Sequence, residues 1–151
     1  MDATITQKFY RLLNHLLYTK SEFEIVADEI YDSRLKTALN GFSEESDTYI
    51  HELCLLLQPL GFEYQQPKSL MIPEKLVPPG ELLFNNSKGN ELQYICFTTE
   101  KHITATYRDI LNGHFPFPVI RKIMIYQLST LRLIFKKISF LNMARFNDLA
   151  K

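Results

Sequence analysis

ITQKFYRLLNHLLYTKSEFEIVADEI, residues 5 to 30, decides the fold. Its apolar side chains fall at Ile5, Phe9, Leu12, Leu16, Phe23, Val26 and Ile30, spaced by fours and threes with one polar break at Thr19. An α-helix turns about 100° per residue, so this spacing gathers them on one face and predicts a long amphipathic helix. After a turn near Asp32-Ser33 the rule repeats through Leu35, Leu39, Phe42, Tyr49, Leu53, Leu56 and Leu60, with its break at Ser46. Gly61 then closes the second helix, since glycine tolerates the left-handed conformation that ends helices.

From Gly61 to Lys88 the pattern dissolves. Pro67, Pro73, Pro78 and Pro79, with Gly80, forbid a long helix there, leaving a connector over about 62–88. Periodicity returns at Leu92, Cys96, Ile103, Thr106 and Ile110, with a break at Thr99, and stops at Asn112-Gly113. A fourth helix is expected from about Val119 to Phe146, beyond the Pro-Phe-Pro turn. Four helices and no window of sustained period-two alternation make an all-α bundle. Helices of about 28 residues are about 42 Å long, and 28 extended residues span about 90 Å, so the connector reaches from one end of the bundle to the other. Up-down-up-down bundles join neighbours with loops of about 2–8 residues, so this length favours a crossover between the second and third helices.

Three stretches taken together carry a resemblance: Val26-Ala27-Asp28-Glu29-Ile30-Tyr31-Asp32-Ser33-Arg34-Leu35-Lys36, Leu60-Gly61-Phe62, and Glu100-Lys101-His102-Ile103-Thr104-Ala105-Thr106-Tyr107. This looks like the uncharacterised bacterial ferritin-like four-helix-bundle family, with its Leu-Lys opening and glycine close to the second helix and a Glu followed seven residues later by Tyr on the third. The resemblance covers roughly Ile5 to Phe135. It implies a single ferritin-like domain over 1–151 with the long crossover between the second and third helices, similar to ferritins in shape without necessarily holding iron. The connector departs from the family, being proline-rich where a short crossing helix is common.

Di-metal proteins of that shape take a Glu-x-x-His from each of two helices, because i, i+3 spacing points both ligands inward. The chain has no Glu-x-x-His. Glu100 and His102 lie about 200° apart around their helix, and Asp47 with His51 share a face directed away from the apolar stripe. Glu22, Glu45 and Glu100 sit at the edge of the stripes, near mid-helix. They are either rim carboxylates paired with Lys and Arg or, with Tyr107, a carboxylate site for iron. Thr19, Ser46 and Thr99 fall near mid-bundle, level with Gln127, Ser129 and Thr130. This polar layer reads either as a vestigial metal site or as small residues that relieve crowding and bond back to their own helices.

Lys+Arg and Asp+Glu are equal at 17 each in 151 residues, which excludes the basic footprint of a dedicated nucleic-acid binder. No apolar run approaches the roughly 20 residues of a membrane span, and the start has no signal-peptide pattern, so a soluble cytoplasmic protein is expected. Cys54 and Cys96 stand alone within apolar stretches, as reduced, largely buried thiols do. With no GxSxG, no phosphate loop and no cysteine beside a histidine, no enzyme motif is present. His15 is expected as a half-buried histidine with a satisfied ring.

Charge is uneven: residues 1–60 hold five Lys/Arg against ten Asp/Glu, and residues 114–151 hold seven against one. The basic fourth helix either packs beside the acidic first two or meets an anionic partner. Its apolar residues surround it. With Ile120, Met124, Leu131 and Ile138 inward, Ile125, Leu133 and Phe140, spaced eight and seven apart, form a second face. A homodimer, or a protein partner, would bury that face; the alternative cover is the connector, through Leu76, Leu82, Leu83 and Phe84.

Overall fold

The computed structural model describes residues 1–66 and 89–149, with the side chains of 89, 90 and 145–149 left aside. The described residues form four long helices: α1 (Ala3–Glu29), α2 (Ser33–Leu57), α3 (Gly89–Leu111) and α4 (Pro118–Leu149). Among the described residues there is no strand. Each of the first two helices starts where an aspartate can cap it. The Asp2 carboxylate accepts from Ile5 N at 2.9 Å, and that of Asp32 accepts from Arg34 N and Leu35 N at 3.0 Å, supplying partners that the first helical turn lacks. α4 opens on Pro118, whose missing N–H costs nothing in the first turn.

α2 ends three residues earlier than its apolar spacing predicts. Pro59 lacks an N–H to give back to the helix, and the chain tightens into a 3₁₀ turn, Gln58–Leu60. Gly61 closes that turn at φ 89°, as expected of the residue that ends the element. The next residues fold back onto α1. Phe62 is buried, its ring 5.0 Å from Tyr10 and 6.0 Å from Phe9, and the Tyr64 hydroxyl donates to Asn14 Oδ1 at 2.8 Å. The Tyr10 hydroxyl donates to the Glu63 carbonyl.

Contacts between helices fix their directions. On α1 and α2, Lys20 meets Asp47 and Phe23 meets Phe42. On α1 and α3, Lys8 meets Asp109 and His15 meets His102. On α2 and α4, Phe42 meets Phe135 and Glu52 meets Gln127. On α3 and α4, Gln93 meets Ser139 and Tyr107 meets Gln127. In every pair one number rises as the other falls, so all four neighbouring pairs are antiparallel. It follows that α2 and α3, which face each other across the bundle, point the same way. The expected crossover between them lies in residues 67–88, outside the described residues.

The core fills the space between the four helices. Phe9, Phe62 and Phe115 pack at one end, and Phe23, Phe42 and Phe135 pack toward the other, with Leu16, Leu39, Leu53, Ile103 and Leu131 among the residues completing the buried set. Every side chain of the sequence stripes from Phe9 to Leu53 is buried, the polar breaks Thr19 and Ser46 included. No helix, among the described residues, is long and apolar enough to cross a membrane.

Candidate functional site

Helix register brings the polar breaks to the middle of the bundle. Lys20 opposite Asp47 and Glu24 opposite Ser43 put Glu22 level with Glu45, and set Thr19 and Ser46 within about one turn of that level. Thr19, Ser46 and Thr99 are all buried. Thr99 donates to the carbonyl of Ile95 at 2.7 Å, the bond back to its own helix that small hydroxyl residues make. The hydroxyls of Thr19 and Ser46 have no hydrogen-bond partner among the described residues. The buried Tyr49 hydroxyl faces Glu45 and Thr130 but meets the geometry of a hydrogen bond with neither.

The four candidate metal ligands differ in burial and in partners. Glu22 is 1% exposed, well inside the edge position that its place on the stripe suggested. α1 packs against both α2 and α3, so its buried arc extends past a single stripe. Glu45 is half-buried. Glu100 lies 3.5 Å from Arg132 Nε, which makes it a rim carboxylate facing a cation. Glu24, one turn along from Lys20, takes up the same role: burial would raise its carboxyl, but hydrogen bonds from Ser43 and Lys20 hold it below the ordinary range. Among the described residues no three or more His, Cys, Asp or Glu side chains gather into a group suited to a metal ion.

Tyr107 is instead one end of a buried chain of hydrogen bonds. Its hydroxyl donates to Gln127 Oε1 at 2.9 Å, and Gln127 Nε2 donates to Glu52 Oε1 at 2.8 Å, joining α3, α4 and α2. Tyr107 and Gln127 are fully enclosed. Burial, reinforced by Tyr49 and Glu52, pushes the Tyr107 hydroxyl well above its usual range, so it remains a proton donor. Glu52, which the sequence reading passed over, stands three residues after Tyr49 and so shares its face of α2; that spacing was the available signal. Burial pushes both the Cys54 and the Cys96 thiol upward, which favours the protonated form. The pair Asp47 and His51 lies outward as expected, Asp47 bound to Lys20 and His51 exposed.

A direct test of the polar layer is Thr19→Val, which keeps the shape and removes an unpartnered hydroxyl. Chemical denaturation should show stability unchanged or raised, by no more than about 2 kcal/mol. A loss larger than that would mean that the hydroxyl serves a partner.

The second candidate region is the outward side of α4. Ile125, Leu133 and Phe140 are 53%, 67% and 70% exposed, while Ile120, Met124, Leu131 and Ile138 are buried, so the two faces divide as the spacing predicts. Ile125 and Leu133 border a shallow groove with Arg108 and Leu111 of α3 and Ser129 and Lys136 of α4. Leu76, Leu82, Leu83 and Phe84, the connector side chains expected as the alternative cover, lie outside the described residues.

Comparison of the chain with family models, with curated proteins and with solved structures finds no match.

Proposed function

We propose that this chain is a ferritin-like four-helix-bundle protein, crossed over between α2 and α3, that acts in the cytoplasm without catalysis, by associating through the outward face of α4. The observation that carries the reading is the exposure of Ile125, Leu133 and Phe140 along one side of a helix whose other side is already buried. Each apolar square ångström removed from water contributes about 25 cal/mol, so covering three large side chains in a row is a strong drive to associate. A second copy is the simplest cover, because a two-fold axis presents the same face to itself. A partner protein is the other cover, and the cations Arg121, Lys122, Arg132, Lys136 and Lys137 along α4 would suit one with an acidic surface. The shared direction of α2 and α3 supports the crossover.

Light scattering on the double variant Leu133→Glu, Phe140→Glu tests the surface. Both side chains are exposed, so the fold should survive, and a dimeric wild type should become a soluble monomer. A variant that keeps the wild-type mass would remove α4 from the interface. The second reading, an iron-binding protein using Glu22, Glu45, Glu100 and Tyr107, draws on the burial of the Glu22 carboxylate at mid-bundle. Anaerobic ferrous titration separates the two, since stoichiometric uptake near two per chain, on the order expected for a di-metal bundle, belongs to the second alone.

A further inference from the structure

A groove of about 680 Å³ runs along the outside of the bundle between α1 and α3, and meets the groove beside the α4 face only at Arg108. Lys8, Arg11 and His15 line it from α1, three and four residues apart and so on one face. His102, Thr106 and Arg108 line it from α3. Three permanently cationic side chains and two imidazoles thus surround a groove whose one carboxylate, Asp109, already stands 3.5 Å from Lys8 Nζ.

The polar groups in the groove are held in defined roles. The Thr106 hydroxyl has one proton and donates it to the His102 carbonyl at 2.6 Å. At 3.0 Å from His15 Nδ1 it can therefore only accept, which assigns the neutral His15 ring its proton on Nδ1 and leaves Nε2 as the nitrogen that gains the second. The two imidazole rings stand edge to face at 6.0 Å, and burial, then His102, then Arg11, keep His15 from taking that second proton. Like charges held this close disfavour one another unless an anion sits among them. A bound cation would add to the repulsion, so a metal is the wrong occupant.

We propose that the α1–α3 groove binds the phosphate group of a small molecule, with Arg11, Arg108 and Lys8 as its cationic contacts and His15 as the group that takes up a proton on binding. Arginine and lysine side chains together suit a tetrahedral dianion, and the groove is far larger than a lone phosphate, which leaves room for an organic body. Burial does most to keep His15 neutral, and a phosphate among these cations offsets the repulsion from His102 and Arg11 that adds to it, so binding and protonation of His15 reinforce each other.

An NMR titration of the imidazole Cε1–H signals at about pH 6, with inorganic phosphate in one arm and glycerol phosphate in the other, tests this. Saturable shifts of both the His15 and His102 signals are expected by about 10 mM ligand, with His15 moving toward its imidazolium position. The arm that saturates at lower concentration names the source, a phosphomonoester or free phosphate, and saturation in either supports the site. Arg11 and Arg108 are exposed, so Arg11→Gln and Arg108→Gln should fold and should each weaken binding about tenfold, whereas Arg34→Gln, on exposed α2 surface, should not. No saturable shift in either arm, or wild-type affinity in both groove variants, would overturn the proposal.

Discussion

Phe42→Ala should cost about 4 kcal/mol of stability, the largest loss expected of a single truncation in this bundle. The ring has no exposed surface and sits 4.9 Å from both Phe23 and Phe135, which are themselves 5.9 Å apart. One side chain of α2 thereby touches α1 and α4 at once. Removing it takes away the transfer energy of a phenyl ring and leaves a cavity bounded by three rigid helices, which cannot collapse to fill it. Edge-to-face ring contacts add about 0.5–1.5 kcal/mol to what is lost. In a domain of this size the midpoint of thermal unfolding should fall by about 10 °C. Phe97→Ala is the matched control, because that ring is 68% exposed and its loss should stay within about 0.5 kcal/mol. A loss under about 1 kcal/mol for Phe42→Ala would mean that the three rings are not packed together.

Acid should weaken the fold through His15. Burial first, and the nearby charges of His102 and Arg11 next, hold its imidazole down at about 4, against 6.5 for a free histidine. The unfolded chain therefore takes up the proton near pH 6.5, while the folded protein resists it until near pH 4. Between those values the unfolded state carries more protons, so stability falls as pH drops through the window and levels off below it. The separation corresponds to about 3 kcal/mol. Denaturant titrations from neutral pH to about pH 4 should show that decline, and His15→Asn, which keeps a polar group beside Thr106, should flatten it. Equal declines in the two proteins would place the acid sensitivity elsewhere. Saturation of the α1–α3 groove by phosphate should also flatten the decline, since an anion there favours the protonated ring.

Helix existence and the inward faces were legible in sequence because both depend on spacing along one chain. Phe9, Phe23, Phe42 and Leu53 could be assigned to the core without knowing any partner. So could the division of α4 into a buried line and an exposed line, since the eight- and seven-residue spacing of Ile125, Leu133 and Phe140 fixes a direction around the helix. What spacing does not give is the identity of the opposing group. The chain from Tyr107 through Gln127 to Glu52 joins residues 20 and 75 positions apart, and the groove needs α1 beside α3 before Arg11 and Arg108 share a surface. Glu22 stands at the edge of the apolar stripe yet is enclosed, for a related reason: a helix with two packed neighbours buries a wider arc than its apolar stripe marks. The end of α2 turned on one residue, Pro59, whose missing N–H outweighed the periodic signal of Leu60.

Sedimentation equilibrium on the wild-type chain at tens of micromolar is the most direct test of association through α4. Association through α4 gives a mass twice the 17.7 kDa of one chain, falling toward a single chain on dilution. A mass of 17.7 kDa throughout that range would contradict it, leaving Ile125, Leu133 and Phe140 open to water in the isolated protein.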